Sequence, residues 1–97
     1  MKDSEAPSIN VRHNAANHRF EAEVDGHLSV AEYQIRAGEI IFTHTFVPSE
    51  LRGRGIAEKL IRAGLDHARR EQLRVVADCS YVASFIRRHR EYVQLTT

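Results

Sequence analysis

Hydrophobic positions keep a strand period over the first half of the chain and alternate between helix and strand over the second. From Arg19 to Val24 they alternate cleanly. Phe20, Ala22 and Val24 fall on one face, and Arg19, Glu21 and Glu23 fall on the other, toward water. Asp25-Gly26 is a tight-turn pair, so the next strand returns antiparallel. Over Leu28–Ile35 the alternation breaks, because Leu28 and Val30 have one parity and Ala31, Tyr33 and Ile35 the other. A β-bulge near Val30 would reconcile the two. Ala37-Gly38-Glu39 marks a second turn. Ile40–Val47 then carries apolar residues on both faces, as a strand inside a sheet does. Ile9–Arg12 is a short strand candidate upstream, and residues 1–7 read as a frayed tail before one domain spanning 8–97.

The period then lengthens. Ile56, Ala57, Leu60, Ile61, Leu65 and Ala68 form one apolar stripe of a helix that runs to about Arg70. Glu58, Lys59, Arg62, Asp66 and Arg69 face water, and Glu58 with Arg62 makes an i,i+4 pair. Ser49 or Gly53 marks the helix start. Gly64 interrupts the helix at a propensity cost of roughly 1 kcal/mol, which suits close packing on a sheet. Leu73–Cys79 reads as a mostly buried strand, and Tyr81–Arg88 as a last helix with Val82, Phe85 and Ile86 inward. Strand, helix, strand at this spacing implies a right-handed parallel crossover. The expected architecture is α/β (α+β): a mixed, mostly antiparallel sheet with a central β-α-β crossover and a C-terminal helix.

Composition narrows the function. Ninety-seven residues make one domain with a modest core. A hydrophobic fraction of 42% is ordinary for a globular chain. The net charge of +1 argues against nucleic-acid or membrane-surface binding by bulk electrostatics. Cys79 is the only cysteine, so no intrachain disulfide can form, and a reducing cytoplasm is expected. No apolar run approaches the length of a membrane span. His13 and His18 lack a strong metal spacing and no Cys/His cluster accompanies them, so no metal site is expected.

The chemistry concentrates where the period changes. Val47-Pro-Ser-Glu-Leu-Arg-Gly-Arg-Gly-Ile-Ala57 joins an apolar strand to an amphipathic helix. Unpaired N–H groups and the helix dipole favour an anion at such a junction. Gly53 and Gly55 let the backbone approach a phosphate, and Arg52 and Arg54 add charge-assisted donors. The P-loop does not fit, since the glycines are two apart and no Lys follows Gly55. The dinucleotide fingerprint fails at Glu58, where a small residue is needed.

What fits is Arg-x-x-Gly-x-Ala, read as Arg52, Gly55 and Ala57, which resembles the acyl-CoA pyrophosphate loop of GCN5-related N-acetyltransferases. His13-Asn14, Arg19-Phe20-Glu21, Asp25-Gly26, Phe42-Thr-His-Thr45, Val47-Pro48, Leu51 to Ala57, Cys79-Ser80-Tyr81-Val82 and Arg88-His89-x-Glu91-Tyr92 resemble the minimal branch of that family, in the same order. The resemblance runs from about Ile9 to Leu95. One departure is Arg90, where the family usually carries Pro.

The resemblance implies a truncated form of the acetyltransferase fold that binds acetyl-CoA and transfers acetyl to an amine acceptor, a protein lysine or a small amine. It implies that the backbone of Phe46 and Val47 pairs with the pantetheine amides. The amides of Arg54, Gly55, Ile56 and Ala57 would hold the pyrophosphate, and Arg87 and Arg88 would reach the adenosine 3′-phosphate. His44 and Cys79 are the candidate catalytic side chains. His44 shares strand parity with Ile40, Phe42 and Phe46 and reads as the most interior histidine, a base or a buried structural residue. Cys79 ends its strand beside the expected crevice, as a nucleophile carrying acetyl or as a small buried hydrophobe. Two alternatives remain at this level: a non-catalytic acyl-CoA-binding or sensing module, and a small interaction or RNA-binding protein using the basic run Arg87–Arg90.

Overall fold

A computed structural model describes residues 9–97. The tail expected over residues 1–7 lies outside the described residues. Five strands form one sheet in the order β1-β2-β3-β4-β5: β1 (Arg12–Asn14), β2 (Arg19–Val24), β3 (His27–Arg36), β4 (Glu39–Phe46) and β5 (Arg74–Ala77). The first four pair antiparallel, and β4 and β5 pair parallel. Helix α1 (Ile56–Arg70) makes the crossover between them, and α2 (Ser80–Arg88) follows β5, succeeded by a 3-10 segment, Arg90–Thr96.

Asp25 and Gly26 both have positive φ, 52° and 78°, which is the mirror-type hairpin turn that matches strand twist. The first strand sits slightly later than Ile9–Arg12. Arg12, His13 and Asn14 pair with Glu21, Phe20 and Arg19, while Ile9 and Val11 pack against the core edge. Asn14 then stops the strand, because its side chain accepts from the Asn17 amide and caps a short turn.

The β-bulge is real but lies elsewhere. Glu32 pairs with His44, and Tyr33 pairs with Phe42, so Thr43 has no partner on β3. The extra residue is therefore in β4, not near Val30 in β3. It flips the face of everything downstream. Before it, Ile40 and Phe42 face the helices and are fully buried. After it, Thr45 takes that face, level with Ala31 and Phe20. His44 and Phe46 turn to the opposite face, and both are exposed. His44 is thus not the most interior histidine. Counting parity through an unrecognised bulge puts it on the wrong side.

Helix α1 buries the whole predicted stripe, with Gly64 added to it. Leu60, Ile61 and Leu65 are fully buried, each contributing roughly 2 kcal/mol of apolar transfer. A Cβ at Gly64 would lie 2.8 Å from two ring carbons of Phe42, so this glycine sets the helix-to-sheet distance. Its N-cap is Gly55 rather than Ser49 or Gly53; Ser49–Leu51 forms a separate short 3-10 turn. The expected Glu58–Arg62 pair is absent. Arg62 reaches the Tyr92 hydroxyl at 3.2 Å, and Glu58 faces Arg88 at 3.7 Å, because the C-terminal elements pack across α1. Phe85, Val82 and Ile86 of α2 join the same core as Phe20, Ala31, Phe42 and Val75.

The other sheet face has no helix over it among the described residues. Val30 and Ile41 are buried on it, outside the core cluster, and Leu28 and Phe46 are exposed. Glu21, expected to face water, is buried on this face. It is held by Arg12 at 2.6 Å, Arg19 at 2.7 Å and Asn14 at 3.3 Å. These partners, Arg19 first, pull its carboxyl below the ordinary range against the opposing effect of burial.

Candidate functional site

Strands β4 and β5 stay paired for four residues, Glu39↔Arg74 to Phe42↔Ala77. One more bond, Cys79 N–H to the Phe42 carbonyl at 2.9 Å, closes the ladder. Beyond it β4 continues to Phe46 with β3 as its strand partner, while β5 ends and the chain turns into α2. The bulge at Thr43 falls at this divergence. The result is an opening between two parallel strand ends, with one edge of β4 free of strand pairing.

A cleft of about 760 Å³ lies between the N-terminal turn of α1 and one side of α2, with Val47 and Ser80, just past the strand ends, on its wall. The turn supplies Val47, Leu51, Arg52, Gly53, Gly55, Ile56, Ala57 and Glu58. Gly53 and Gly55 have φ of 88° and 77°, and a Cβ at either would meet nothing within 4 Å. The backbone there is open to an incoming group. The first intrahelical bond runs from the Lys59 amide to the Gly55 carbonyl, at 3.2 Å. The amides of Ile56, Ala57 and Glu58 precede it and have no acceptor within the helix. Gly55 has no side chain with which to cap them. Amides left in this state, at the positive end of the helix dipole, favour an anion.

The opposite wall comes from α2. Ser80, Tyr81, Ser84, Arg87 and Arg88 lie along one side of the helix and line the cleft. Three arginines therefore face one acid, Glu58. Its carboxylate is 3.7 Å from Arg88, and the pair spans the cleft between the two helices. Arg52 donates through Nε to the Val47 carbonyl at 3.1 Å, which braces the loop across its own base.

Eight of the expected donor-binding residues thus line one cleft: Val47, Arg52, Gly53, Gly55, Ile56, Ala57, Arg87 and Arg88. Arg54 is turned away and bonds Asp25 of the β2–β3 turn at 3.0 Å. Phe46 lies outside the cleft, with its ring on the open sheet face. The Val47 carbonyl already accepts from Arg52, which leaves its second lone pair and the Val47 N–H for backbone pairing. The sequence pattern alone assigns Ser80, Tyr81 and Ser84 no place in the site. Their spacing with Arg87 and Arg88, opposite Val82, Phe85 and Ile86, was a readable polar stripe.

The two catalytic candidates are not brought together. Cys79 is the half-buried N-cap residue of α2, and its Sγ lies 3.5 Å from the Thr45 hydroxyl. His44 stands on the other side of β4, exposed, opposite Glu32. Asp78, beside Cys79, is exposed. Among the described residues no three His, Cys, Asp or Glu side chains converge as metal ligands, and no helix is long and apolar enough to cross a membrane.

Comparisons agree with this geometry. A family profile described as GCN5-related N-acetyl-transferase matches residues 19–95. Protein NATD1 of Bos taurus is 34% identical over 82 residues, covering 81% of this chain and 73% of that protein. Protein NATD1 of Homo sapiens is 32% identical over the same length, with the same coverage. A GCN5-like protein from Staphylococcus aureus, solved by NMR in solution, superposes with a TM-score of 0.72 at 27% identity. It covers 90% of this chain, which in turn covers 86% of it.

Proposed function

The chain belongs to the GCN5-related N-acetyltransferase family, and we propose that it takes acetyl from acetyl-CoA and passes it to a primary amine. The observation that carries this reading is the cleft itself. A glycine-opened helix N-terminus and an arginine-lined helix side face each other at the point where two parallel strands part. A phosphate-rich head with a slender amide-bearing arm matches both ends of that shape.

The pyrophosphate would lie on the amides of Gly55, Ile56 and Ala57, with Gly53 and Arg52 beside it. Arg87 and Arg88 would meet the 3′-phosphate. The arm would run along the free edge of β4, where Phe46 and Val47 offer backbone groups much as a paired strand would. Cys79 stands at the end of that path, so the acyl carrier role falls to it. Thiol-to-thioester exchange is nearly balanced in energy, which makes the first half of such a reaction easily reversible. His44 stands on the opposite face of β4 from Cys79, so an amine attacking the Cys79 thioester would give up its proton to solvent rather than to His44. An open acceptor side suits a protein lysine or a flexible amine.

The test is calorimetric titration with acetyl-CoA of the wild type and of a Gly55→Glu, Arg87→Glu double variant, with thermal melts to establish that both fold. Micromolar binding by wild type, lost in the variant, is expected. A folded wild type that does not bind acetyl-CoA would refute the donor site and the transferase together. Binding without acetylation of Cys79 or of any amine would leave an acyl-CoA-binding module.

A further inference from the structure

We infer that Thr45 is the positioning residue for Cys79. The inference rests on the acyl-carrier reading of that cysteine and goes beyond it. The bulge is what creates the relationship. In an unbroken β4, Thr45 would share the face of Thr43 and Ile41, away from the helices. The unpaired Thr43 shifts the register so that Thr45 joins Phe42 on the helix-facing side, next to the end of β5. Its Oγ1 lies 3.5 Å from Cys79 Sγ, and among the described residues this is the one hydrogen bond recorded for that hydroxyl. The partner is equally fixed, since the Cys79 amide bonds the Phe42 carbonyl and the Cys79 carbonyl takes the Ala83 amide of α2. A β-branched side chain in a strand has few χ1 choices, so its hydroxyl is aimed before any substrate arrives.

The chemistry gives this contact a use. In the carrier step a bond forms between Cys79 Sγ and the acetyl carbon while the carbon–sulfur bond to CoA breaks. The Cys79 proton ends on the CoA sulfur. One thiol and one thioester become another thiol and thioester, with no change of oxidation state. Negative charge gathers on Sγ as it attacks. The Thr45 O–H can donate to it then, and a hydrogen bond to a charged acceptor is stronger than one to a neutral acceptor. The same bond holds the sulfur on the β4 side of the opening, where the arm of the donor would lie.

The experiment is a time course of Cys79 acetylation by acetyl-CoA, read by intact mass and peptide mapping. It compares wild type, Thr45→Val, Thr45→Ser and Cys79→Ser across donor concentrations. Valine keeps the volume and branching and removes only the hydroxyl; serine keeps the hydroxyl. Thr45→Val should acetylate about tenfold more slowly at saturating donor, as expected for one charge-assisted hydrogen bond, with the half-saturating concentration unchanged. Thr45→Ser should stay within about twofold of wild type on the same reasoning. Wild-type rates in Thr45→Val, or an equal loss in Thr45→Ser, overturn the inference and leave the carrier intact. A wild type that binds acetyl-CoA yet never gains an acetyl group at Cys79 overturns the carrier and this inference together, leaving the donor site standing.

Discussion

Removing the Glu58 carboxylate should tighten donor binding. Glu58 is the one acidic side chain on the cleft wall among the described residues, and it sits 3.7 Å from Arg88. Both members are about half exposed, 51% each, so their pairing contributes little to stability. With a polyanion in the cleft the same carboxylate becomes unfavourable. It competes for Arg88 and repels the phosphate that Arg88 would hold. At about 6 Å in a water-like dielectric two unit charges repel by roughly 0.7 kcal/mol, and a phosphomonoester with up to about two charges doubles this. That is about tenfold in Kd at low salt and about threefold once screening at physiological ionic strength halves it. Glu58→Gln keeps the shape of the side chain and loses only the favourable placement of an acid in the first helical turn, a few tenths of a kcal/mol. Titration with acetyl-CoA at two salt concentrations measures the gain, and dephospho-acetyl-CoA, which lacks the 3′-phosphate, serves as control. The gain should shrink with salt and with the control ligand. Unchanged or weaker binding in Glu58→Gln would refute the placement of phosphate beside Arg88. Misfolding cannot counterfeit tighter binding, which is why this variant is more decisive than a charge reversal.

Two further outcomes concern the fold. Gly64→Ala gains roughly 1 kcal/mol of helix propensity but drives a methyl to within 2.8 Å of the fully buried Phe42 ring. Overpacking of that kind costs about 1–3 kcal/mol, so urea unfolding should show a net loss of about 1 kcal/mol, and a gain would show that α1 can retreat from the sheet freely. Stability should also fall with acid in two stages. His13 stacks on Phe20 at 4.2 Å, meets Tyr33 Oη at 2.6 Å and abuts His67, and burial, with His67 and then Arg70, lowers its pKa. A lowered imidazole pKa means the unfolded chain takes up its proton first. The contribution is whole above the ordinary histidine value of about 6.5 and is lost as pH falls toward the folded-state value. Glu21, also lowered, holds its contribution above the ordinary carboxylate range and loses it in stronger acid. Urea midpoints against pH should show both steps, with the upper one flattened in His13→Phe; an unaltered upper step would refute the assignment to His13.

Most of the framework was legible because one helix and one strand carry strong periods and turn residues bound the other elements. The α1 stripe, the Asp25-Gly26 hairpin and the β-α-β crossover all follow from spacing alone. What the period could not show is where one residue is unpaired. Alternation in β3 does break, and a bulge was inferred from it, but a two-strand register can be corrected on either partner. The extra residue fell in β4, whose apolar side chains on both faces conceal a change of parity. Glu21 escaped notice for a related reason. A charged residue in an alternating strand reads as a wet position, and its burial depends on Arg12 and Arg19, which reach it from two different positions of the sheet.

That same ambiguity divides the candidate site. Donor-side residues are local to one loop and one helix face, so their grouping could be read from the chain. The catalytic side depends on which of two adjacent residues, His44 or Thr45, faces Cys79. Sequence parity favours His44, and the bulge gives the place to Thr45. The consequence is a separation of the two candidates across one strand. The proposed sulfur chemistry lies on the helix side of β4, beside Thr45. His44 stands exposed on the other side. A single extra residue at Thr43 therefore lies where the β4–β5 ladder ends and sorts the two candidate side chains onto opposite faces of the strand.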